Sequence, residues 1–368
     1  MTGKNKNVFS TQERPLLKKY IGSSNLIIGK KRSCVDAIHA SPPKRKEVLI
    51  AISGEKHNNK KRRWKRYRAL RKAHEVYTAE IARSVAKKTG SSYFVPKKSR
   101  IYSDFNREIG AKRTIKNIPL IETPERVQNV IDIILKNTFK RIGIVNEEHK
   151  LIKTFLHVSI HGKANTKNDF VIANGMKSKL LPCHPQLACW AARFIRERVD
   201  KKYKVVVARE GHAFCGSATN VTRRFGQKGG FGLGENYQHV QIEISYRARK
   251  KHNKEIALVL SELIRYFDKK FYSLEEISSL PLLERDRHRL SGRLYYKKYI
   301  FRGKTAKNYI RLNPSLQKAL GVKRSDTVLV NKQRFTVLNT WKKLQNKKLP
   351  ILLTKMEISG PIVIEKTI

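Results

Sequence analysis

Histidine and carboxylate side chains recur in this sequence beside short apolar stretches. His157 and His161 lie in one such stretch, Glu243 stands among apolar residues in another, and Glu75 begins a helical pattern. These residue types can hold a metal ion or transfer protons. A carboxylate in the middle of a strand is costly to bury unless something binds it. Polar residues at strand ends are also where α/β folds place their sites.

Secondary-structure elements must position these side chains. Short apolar runs alternate with helical patterns of 10–15 residues, which predicts an α/β three-layer sandwich with a mostly parallel or mixed sheet. We expect Val48–Ile52 to be a buried strand and a helix to run from Glu75 to Lys88, ending at Gly90. The other main predictions are helices at 124–140, 185–199 and 254–267 and strands at 155–160, 205–208 and 239–245.

The pattern changes near each end of the chain. Residues 1–46 are polar and basic, which favours an extension or linker, so the predicted α/β domain covers residues 47–284. Residues 285–368 contain short strands separated by turns, which predicts a small C-terminal β-barrel domain with a binding or docking role.

The composition restricts the function classes. Lys and Arg number 80 and Asp and Glu number 29, so the 368 residues carry a formal net charge of +51. That excess excludes an ordinary neutral enzyme and indicates either a polyanionic partner or a generally basic proteome. The hydrophobic content of 40% is enough for a core, which excludes a wholly disordered chain.

The location is less strongly constrained. No apolar run approaches the ~18 residues that span a bilayer, and the first residues lack the apolar core of a secretory signal. The four cysteines form no CxxC pair, which favours free thiols in a reducing compartment. We expect a cytoplasmic protein, and the basic N-terminus leaves an organellar location open.

Several motifs follow one another in a recognisable order. They are Glu75 with Thr78 and Ala82, the run Asp104-Phe105-Asn106-Arg107, the pair His161-Gly162, and the run Gln241-Ile242-Glu243-Ile244. In this order the chain resembles the N-formylglutamate amidohydrolase family of zinc-dependent amidohydrolases, which have a carboxypeptidase-like fold. The resemblance extends over about residues 47–267.

The resemblance implies a zinc site and an acidic substrate. It implies His57, Glu75 and His161 as metal ligands and Glu243 as the base that takes a proton from water. The implied substrate-binding residues are Asp104, Asn106, Arg107, Arg223 and Arg224. One departure concerns the first ligand, because Ser53 follows the expected first strand where the family has histidine, and His57 is the nearest imidazole.

Structural explanations compete with these roles. His161 could be a core histidine, Glu75 could be an acidic residue in a first helical turn, and Asp104 could form an ion pair with Arg107. The basic run 57–72 could be a solvated surface, although its Trp64 and Tyr67 are also suited to stacking on bases.

Two functions follow from the sequence. The first is a metal-dependent amidohydrolase that cleaves an amide bond of an anionic, glutamyl-type or peptide substrate. The alternative is a nucleic-acid-binding or ribosome-associated protein that keeps a hydrolase scaffold, which the net charge favours.

Overall fold

The computed structural model describes the larger part of the first 281 residues and a set of strands beyond them. The described residues are 8–53, 60–71, 74–106, 120–173, 183–208, 234–281, 294–296, 300–302, 309–312, 317, 322, 324–330, 333–338, 351–353 and 362–366. By its internal contacts the chain divides into two compact units. The larger unit is residues 1–208 with 214–280, and the smaller is residues 209–213 with 281–368.

A mixed sheet of seven strands lies at the centre of the larger unit. Its strands are β1 Leu26–Ile27, β2 Ser33–Asp36, β3 Ser92–Phe94, β4 Phe155–Lys163, β5 Phe170–Ala173, β6 Val205–Val207 and β7 Tyr237–Ser245. They lie in the order β1-β3-β2-β4-β7-β5-β6, and the four from β3 to β7 are mutually parallel. At the edges, β1 is antiparallel to β3, and β5 and β6 run antiparallel to β7. The predicted α/β class with a mixed sheet is confirmed, and the three-layer arrangement stays a prediction.

The described residues of this unit form eight α-helices, and the sequence patterns predicted four of them. In chain order the helices are α1 Glu13–Tyr20, α2 Arg45–Ser53, α3 Lys60–Arg71, α4 Thr78–Thr89, α5 Pro124–Ile142, α6 Pro185–Arg198, α7 Tyr246–Lys270 and α8 Leu274–Ser278. Helix α5 starts with a proline at its first position, and α4 ends where Gly90 takes a left-handed conformation with φ 75°. None of the helices in the described part of the chain is long and apolar enough to cross a membrane.

The run Val48–Ile52 is not a strand, because it belongs to α2. Val48, Ala51 and Ile52 are buried while Leu49 and Ile50 are exposed, which is a helical spacing of apolar contacts. A short apolar run does not distinguish a strand from a buried helix face by itself. The backbone N–H of Lys44 donates to Glu47 Oε2 at 2.8 Å, which satisfies a donor at the start of this helix.

The interpretation of residues 1–46 as an extension is wrong for the described part. Residues 13–36 form α1, β1 and β2, and β2 lies between β3 and β4 inside the sheet. The few apolar residues of this segment are nearly all buried; Phe9, Leu17, Tyr20, Ile21, Leu26 and Ile28 share a core cluster with residues of α5. The average composition of the segment is basic and therefore favoured a linker, but its few apolar residues are enough to bury it in the core.

One face of the sheet is unusually polar. Strand residues that pair in register lie on the same face, and alternate residues along a strand do too. His157, Ser159 and His161 of β4 are therefore on one face with their β7 partners His239, Gln241 and Glu243. The face carries polar groups along the whole length of the two central strands.

The smaller unit contains a second mixed sheet. Its strands are β8 Leu294–Tyr296, β9 Ile300–Arg302, β10 Tyr309–Leu312, β11 Thr327–Val330, β12 Gln333–Leu338, β13 Ile351–Leu353 and β14 Ile362–Lys366. They follow the order β8-β14-β11-β12-β10-β13-β9. Among the described strands β8 and β9 stand at the two edges of this sheet, so closure into the predicted barrel is not shown and stays a prediction.

Candidate metal centre

Three side chains from distant parts of the larger unit meet in a buried cluster. His39, Glu75 and His161 each offer one ligand atom, and these atoms lie within 4.8 Å of one another. His39 Nδ1 is 3.0 Å from Glu75 Oε1, and His161 Nδ1 is 3.4 Å from Glu75 Oε2. The two imidazole rings meet edge to face with centroids 4.9 Å apart. We call these residues the His–Glu–His cluster; two imidazoles and a carboxylate are a donor set found in catalytic zinc sites.

His39 is placed by the end of a central parallel strand. It follows the last residue of β2 closely, at the carboxyl edge where α/β sheets bind ligands. Its Nε2 is 2.8 Å from Asp104 Oδ1, and Arg100 Nη2 is 3.2 Å from the other oxygen of that carboxylate. Burial opposes ionisation of Asp104, but His39 and Arg100 outweigh it and hold the pKa of Asp104 below its usual range. A carboxylate on one ring nitrogen fixes the imidazole and leaves the other nitrogen for a metal.

Glu75 is held by backbone groups on both sides. Its N–H donates to the His39 carbonyl at 2.9 Å, and the Gly162 N–H donates to Glu75 Oε2 at 2.8 Å. Burial favours the neutral acid, but His161 and His39 prevail and hold the pKa of Glu75 well below its usual range. Between Glu75 and α4, Tyr77 has a left-handed φ of 69°, which is uncommon for a residue with a side chain. The carboxylate is therefore ionised and fixed in place.

His161 has unused hydrogen-bonding capacity. The residue is 2% exposed, and within the described residues its Nε2 is buried with no hydrogen-bond partner. Burial lowers the pKa of this imidazole, but the carboxylates of Glu75, Glu243 and Asp36 raise it by more. The pKa of His161 is therefore raised above its usual value, to about 9. A buried polar atom without a partner costs free energy in a folded protein. A metal ion on this ring would remove that cost and displace the proton.

Glu243 lies next to the cluster on the neighbouring strand. The register of β4 and β7 pairs His161 with Glu243, and both are on the same face of the sheet. Gln241 Nε2 donates to Glu243 Oε1 at 2.8 Å, which fixes one carboxylate oxygen. Burial raises the pKa of Glu243, which the positive charge of His161 opposes and the negative charge of Glu75 reinforces. A carboxyl group with a raised pKa is suited to take and return protons near neutral pH.

A buried arginine balances the two carboxylates. Arg249 is 4% exposed; its Nε donates to the Val76 carbonyl at 2.9 Å, and its Nη1 donates to the Ile244 carbonyl. Burial lowers the pKa of this guanidinium, while Glu75 and Glu243 raise it. A Cβ at Gly162 would lie 2.5 Å from Arg249 Cζ, so any other residue there would require the guanidinium to move. The glycine after His161 thus makes room for the guanidinium.

The structure brings together three of the nine site residues that the sequence indicated, and a fourth lies directly behind the cluster. Glu75, His161 and Glu243 converge. Asp104 is completely buried against His39, so it orients a candidate ligand, and the Asn106 N–H donates to Asp104 Oδ1 at 3.0 Å. Ser53 ends α2 and donates to the Ile50 carbonyl at 2.8 Å, away from any strand end. His57, Arg107, Arg223 and Arg224 lie outside the described residues.

His39 is not among the residues that the sequence indicates as metal ligands. Its signal was present, because Cys34-Val35-Asp36-Ala37-Ile38-His39 is a mainly apolar run that ends in histidine. That run stood inside a basic segment interpreted as a linker, so the first strand was assigned to residues 48–52 instead. The structure therefore has a histidine shortly after an early strand, because His39 follows the end of β2 at Asp36.

Comparisons with known proteins do not assign a family. No family model matches the chain, and no curated protein matches it. Among solved structures, a zinc-free form of YndL is 13% identical with a TM-score of 0.35, covering 65% of this chain and 87% of that one. The gene product Atu2144 from Agrobacterium tumefaciens is 14% identical with a TM-score of 0.43, covering 75% of this chain and 99% of that one. Similarity at this level carries no functional argument.

Proposed function

We propose that the protein is a metal-dependent amidohydrolase that cleaves an amide bond of an acidic substrate. The observation that carries the proposal is the convergence of His39, Glu75 and His161 within 4.8 Å, with Glu243 beside them. His161 Nε2, which has no partner among the described residues, and the carboxylate behind His39 support a metal at this position. Zinc is the proposed ion because imidazole and carboxylate ligands suit it.

The residues divide into those that hold the ion and one that moves protons. A bound zinc ion would lower the pKa of a water molecule and polarise the scissile carbonyl group. Glu243 accepts the proton of the attacking water and passes it to the leaving amine, the role expected of a buried carboxylate with a raised pKa. Gln241 keeps one oxygen of Glu243 in a fixed direction, so the other oxygen is the one that reacts.

The acidic nature of the substrate rests on charge. A formal charge of +51 gives the protein a positive potential that attracts anions. Arg107, Arg223 and Arg224 keep their proposed role as anchors of a substrate carboxylate, for which a planar guanidinium is better suited than lysine. An N-acylated glutamate, a γ-glutamyl polymer or a cell-wall peptide would provide such a carboxylate.

Metal content and hydrolysis test the proposal together. Purified full-length protein is analysed for bound metal and is then assayed, with added zinc, against those three kinds of substrate. We expect about one metal ion per chain and release of a free amine. Glu243→Gln should keep the metal and lower the turnover number by roughly 10²- to 10⁴-fold, because it removes a general base while preserving shape.

Glu148→Gln is the matched control, because Glu148 lies on the surface and forms an ion pair with Lys150. It should leave both metal content and turnover unchanged. A folded protein that binds no zinc, or a Glu243→Gln variant with unchanged turnover, would contradict the proposal.

A further inference from the structure

The structure has a second candidate site, a groove formed by α2 and α3. Its volume is about 500 Å³, and it is lined by Arg45, Leu49, Ile52, Arg63, Trp64 and Tyr67. Clefts of about 300–1,000 Å³ are typical of sites for small organic groups. We call this feature the α2/α3 groove. None of its lining residues belongs to the His–Glu–His cluster.

The two helices form a packed unit, so the groove has a firm base. Val48, Ala51, Ile52, Leu70 and Ile101 are buried together, and Tyr67 packs against them. Within the basic run 57–72, the described residues Lys60–Arg71 form a helix. Trp64 remains 56% exposed and meets Tyr67 edge to face, with ring centroids 5.4 Å apart. An indole that is supported on one side and exposed on the other can accept another flat ring.

The charge around the groove selects the class of ligand. Helix α3 has the sequence KKRRWKRYRALR, in which eight of twelve residues are Lys or Arg and none is acidic. Among the described residues, those that line the groove include no carboxylate. Glu47 of α2 is buried and accepts hydrogen bonds from the Lys44 N–H and the Ser99 hydroxyl, so it does not face a ligand. The groove therefore combines aromatic surface with concentrated positive charge.

We propose that the α2/α3 groove binds single-stranded nucleic acid. Unpaired bases stack on exposed aromatic side chains while Lys and Arg contact the phosphates. In this arrangement a base stacks on Trp64, and Arg45 and Arg63 contact the adjoining phosphates. A duplex keeps its bases stacked inside, so it offers phosphates but no free ring to the indole. An acidic peptide offers charge but no series of flat rings.

Fluorescence titration of the full-length protein with oligo-dT and oligo-U tests this site, because stacking quenches an exposed tryptophan. Trp64→Ala should weaken binding roughly 5- to 150-fold, the range expected for losing one stacked base. Tyr309→Ala is the aromatic control, since Tyr309 is 41% exposed and lies in the smaller unit, and its affinity should stay unchanged. Affinities of the variants are measured by anisotropy of labelled oligonucleotide.

A salt titration tests the phosphate contacts separately. Arg63→Ala should reduce the slope of log affinity against log salt by about 0.7, the value for one phosphate contact on a single strand. Arg141→Ala, at the exposed end of α5, should lose affinity less than Arg63→Ala at every salt concentration. Preference for oligo-U over oligo-dT, or the reverse, would identify the natural nucleic acid.

Three results would overturn the proposal. Equal affinity of Trp64→Ala and wild type would show that charge alone attracts the strand. Equal or tighter binding of duplex would remove the need for stacking. Displacement of the oligonucleotide by polyglutamate at equal charge concentration would show that an acidic polypeptide is the occupant. Hydrolytic activity should be unaffected by Trp64→Ala, so failure here is separate from failure of the proposed enzyme.

Discussion

Two buried histidine clusters lie on the same face of the central sheet, and they differ in how completely their imidazole nitrogens are paired. In the inner cluster, His157 Nε2 is 2.7 Å from Asp36 Oδ2, its Nδ1 meets the Tyr237 hydroxyl, and Ser159 Oγ is 2.7 Å from His239 Nε2. In the His–Glu–His cluster, His161 keeps a buried nitrogen without a partner among the described atoms. Strand register places the histidines of β4 and β7, whereas His39 and Glu75 come from loops. Among the described atoms Asp36 Oδ1 of the inner cluster also lacks a partner, but of the histidines in the two clusters only His161 has a buried ring nitrogen without one.

The difference shows how two similar residues on one strand can have different roles. His157 and His161 are both buried, both on β4 and both beside a carboxylate. His157 lies deeper along the strand, where side chains from β2 and β7 satisfy its ring. His161 lies near the carboxyl end, where Glu75 and His39 arrive from loops. The hydrogen bonds to both ring nitrogens of His157 stabilise the inside of the sheet, whereas the ring nitrogen of His161 without a described partner is available to a ligand at the sheet edge.

Loss of a ligand histidine should give the largest effect on metal content, and it should show whether His39 or His57 is a ligand. His39→Ala and His161→Ala should each reduce bound zinc from about one ion per chain to a small fraction, because three protein ligands are the usual minimum of a catalytic site. His57→Ala should retain zinc, since His39 occupies the end of β2. Metal analysis after gel filtration measures this.

Retention of zinc in His39→Ala together with its loss in His57→Ala would reverse the assignment. Circular dichroism of each variant shows whether the fold is preserved, so that metal loss is not confused with unfolding.

Changes in the inner cluster should affect stability instead. His157→Ala leaves the buried Asp36 carboxylate without its imidazole, and loss of one partner from a buried pair costs about 3–5 kcal/mol. We expect the free energy of unfolding, measured by urea denaturation, to fall by that amount. The folded fraction should still bind zinc. If His157→Ala removes zinc without destabilising the protein, the two clusters do not differ as described.

The carboxylate behind His39 should have an intermediate effect. Asp104→Asn removes the charge that orients the His39 ring, and changes to such partners typically cost 10- to 100-fold in metal affinity. Competition with a chelator measures the zinc affinity. Asp200→Asn serves as the control, because Asp200 lies on the surface and pairs only with Lys202 in the described structure. An affinity that is unchanged in Asp104→Asn would remove Asp104 from the site.

The pH dependence of the metal-free protein gives the smallest expected effect. The pKa of His161 is raised to about 9, so its contribution to stability is fully present below the usual imidazole value of ~6.5 and is lost as the pH rises through about 9. We expect the free energy of unfolding in chelator to fall by roughly 2 kcal/mol over that interval. Zinc binding should strengthen over the same interval, because the metal displaces the proton.

His161→Gln should flatten this pH dependence, whereas His149→Gln should preserve it, because His149 is exposed to solvent. Stability that rises between pH 6.5 and 9 in the chelated protein would contradict the raised pKa of His161.

Part of the site could be predicted from local sequence. Glu75 was indicated at the start of a helical pattern, His161 at the end of a strand pattern and Glu243 in the middle of one, while their roles came from the family resemblance. The structure places His161 close to Glu75 and pairs it in register with Glu243. Asp104 was indicated as a polar residue in a short motif, although its position behind His39 differs from the substrate-binding role expected of it. The helices α5, α6 and α7 were predictable because long amphipathic patterns carry strong signals.

Other features depended on contacts between distant segments. Val48–Ile52 is apolar enough for a strand, and only its packing against Leu70 and Ile101 shows that it forms one side of a helix. The basic N-terminal segment is in the sheet because β3 and β4 provide hydrogen-bonding partners on both sides of β2. Composition averages over a segment, whereas burial depends on where its few apolar residues lie.

The amino-acid sequence by itself determined the class of fold, the helical and strand periods and the supply of histidine and carboxylate groups. The tertiary structure decided which of those groups meet, because a His–Glu–His cluster requires three loops and strand ends to converge from separate parts of the chain. It also decided that both ring nitrogens of His157 have partners, whereas His161 Nε2 has none in the described part of the chain. The physical reason is that periodicity is encoded by near neighbours, while ligand geometry arises from strand order and register, which only the folded sheet establishes.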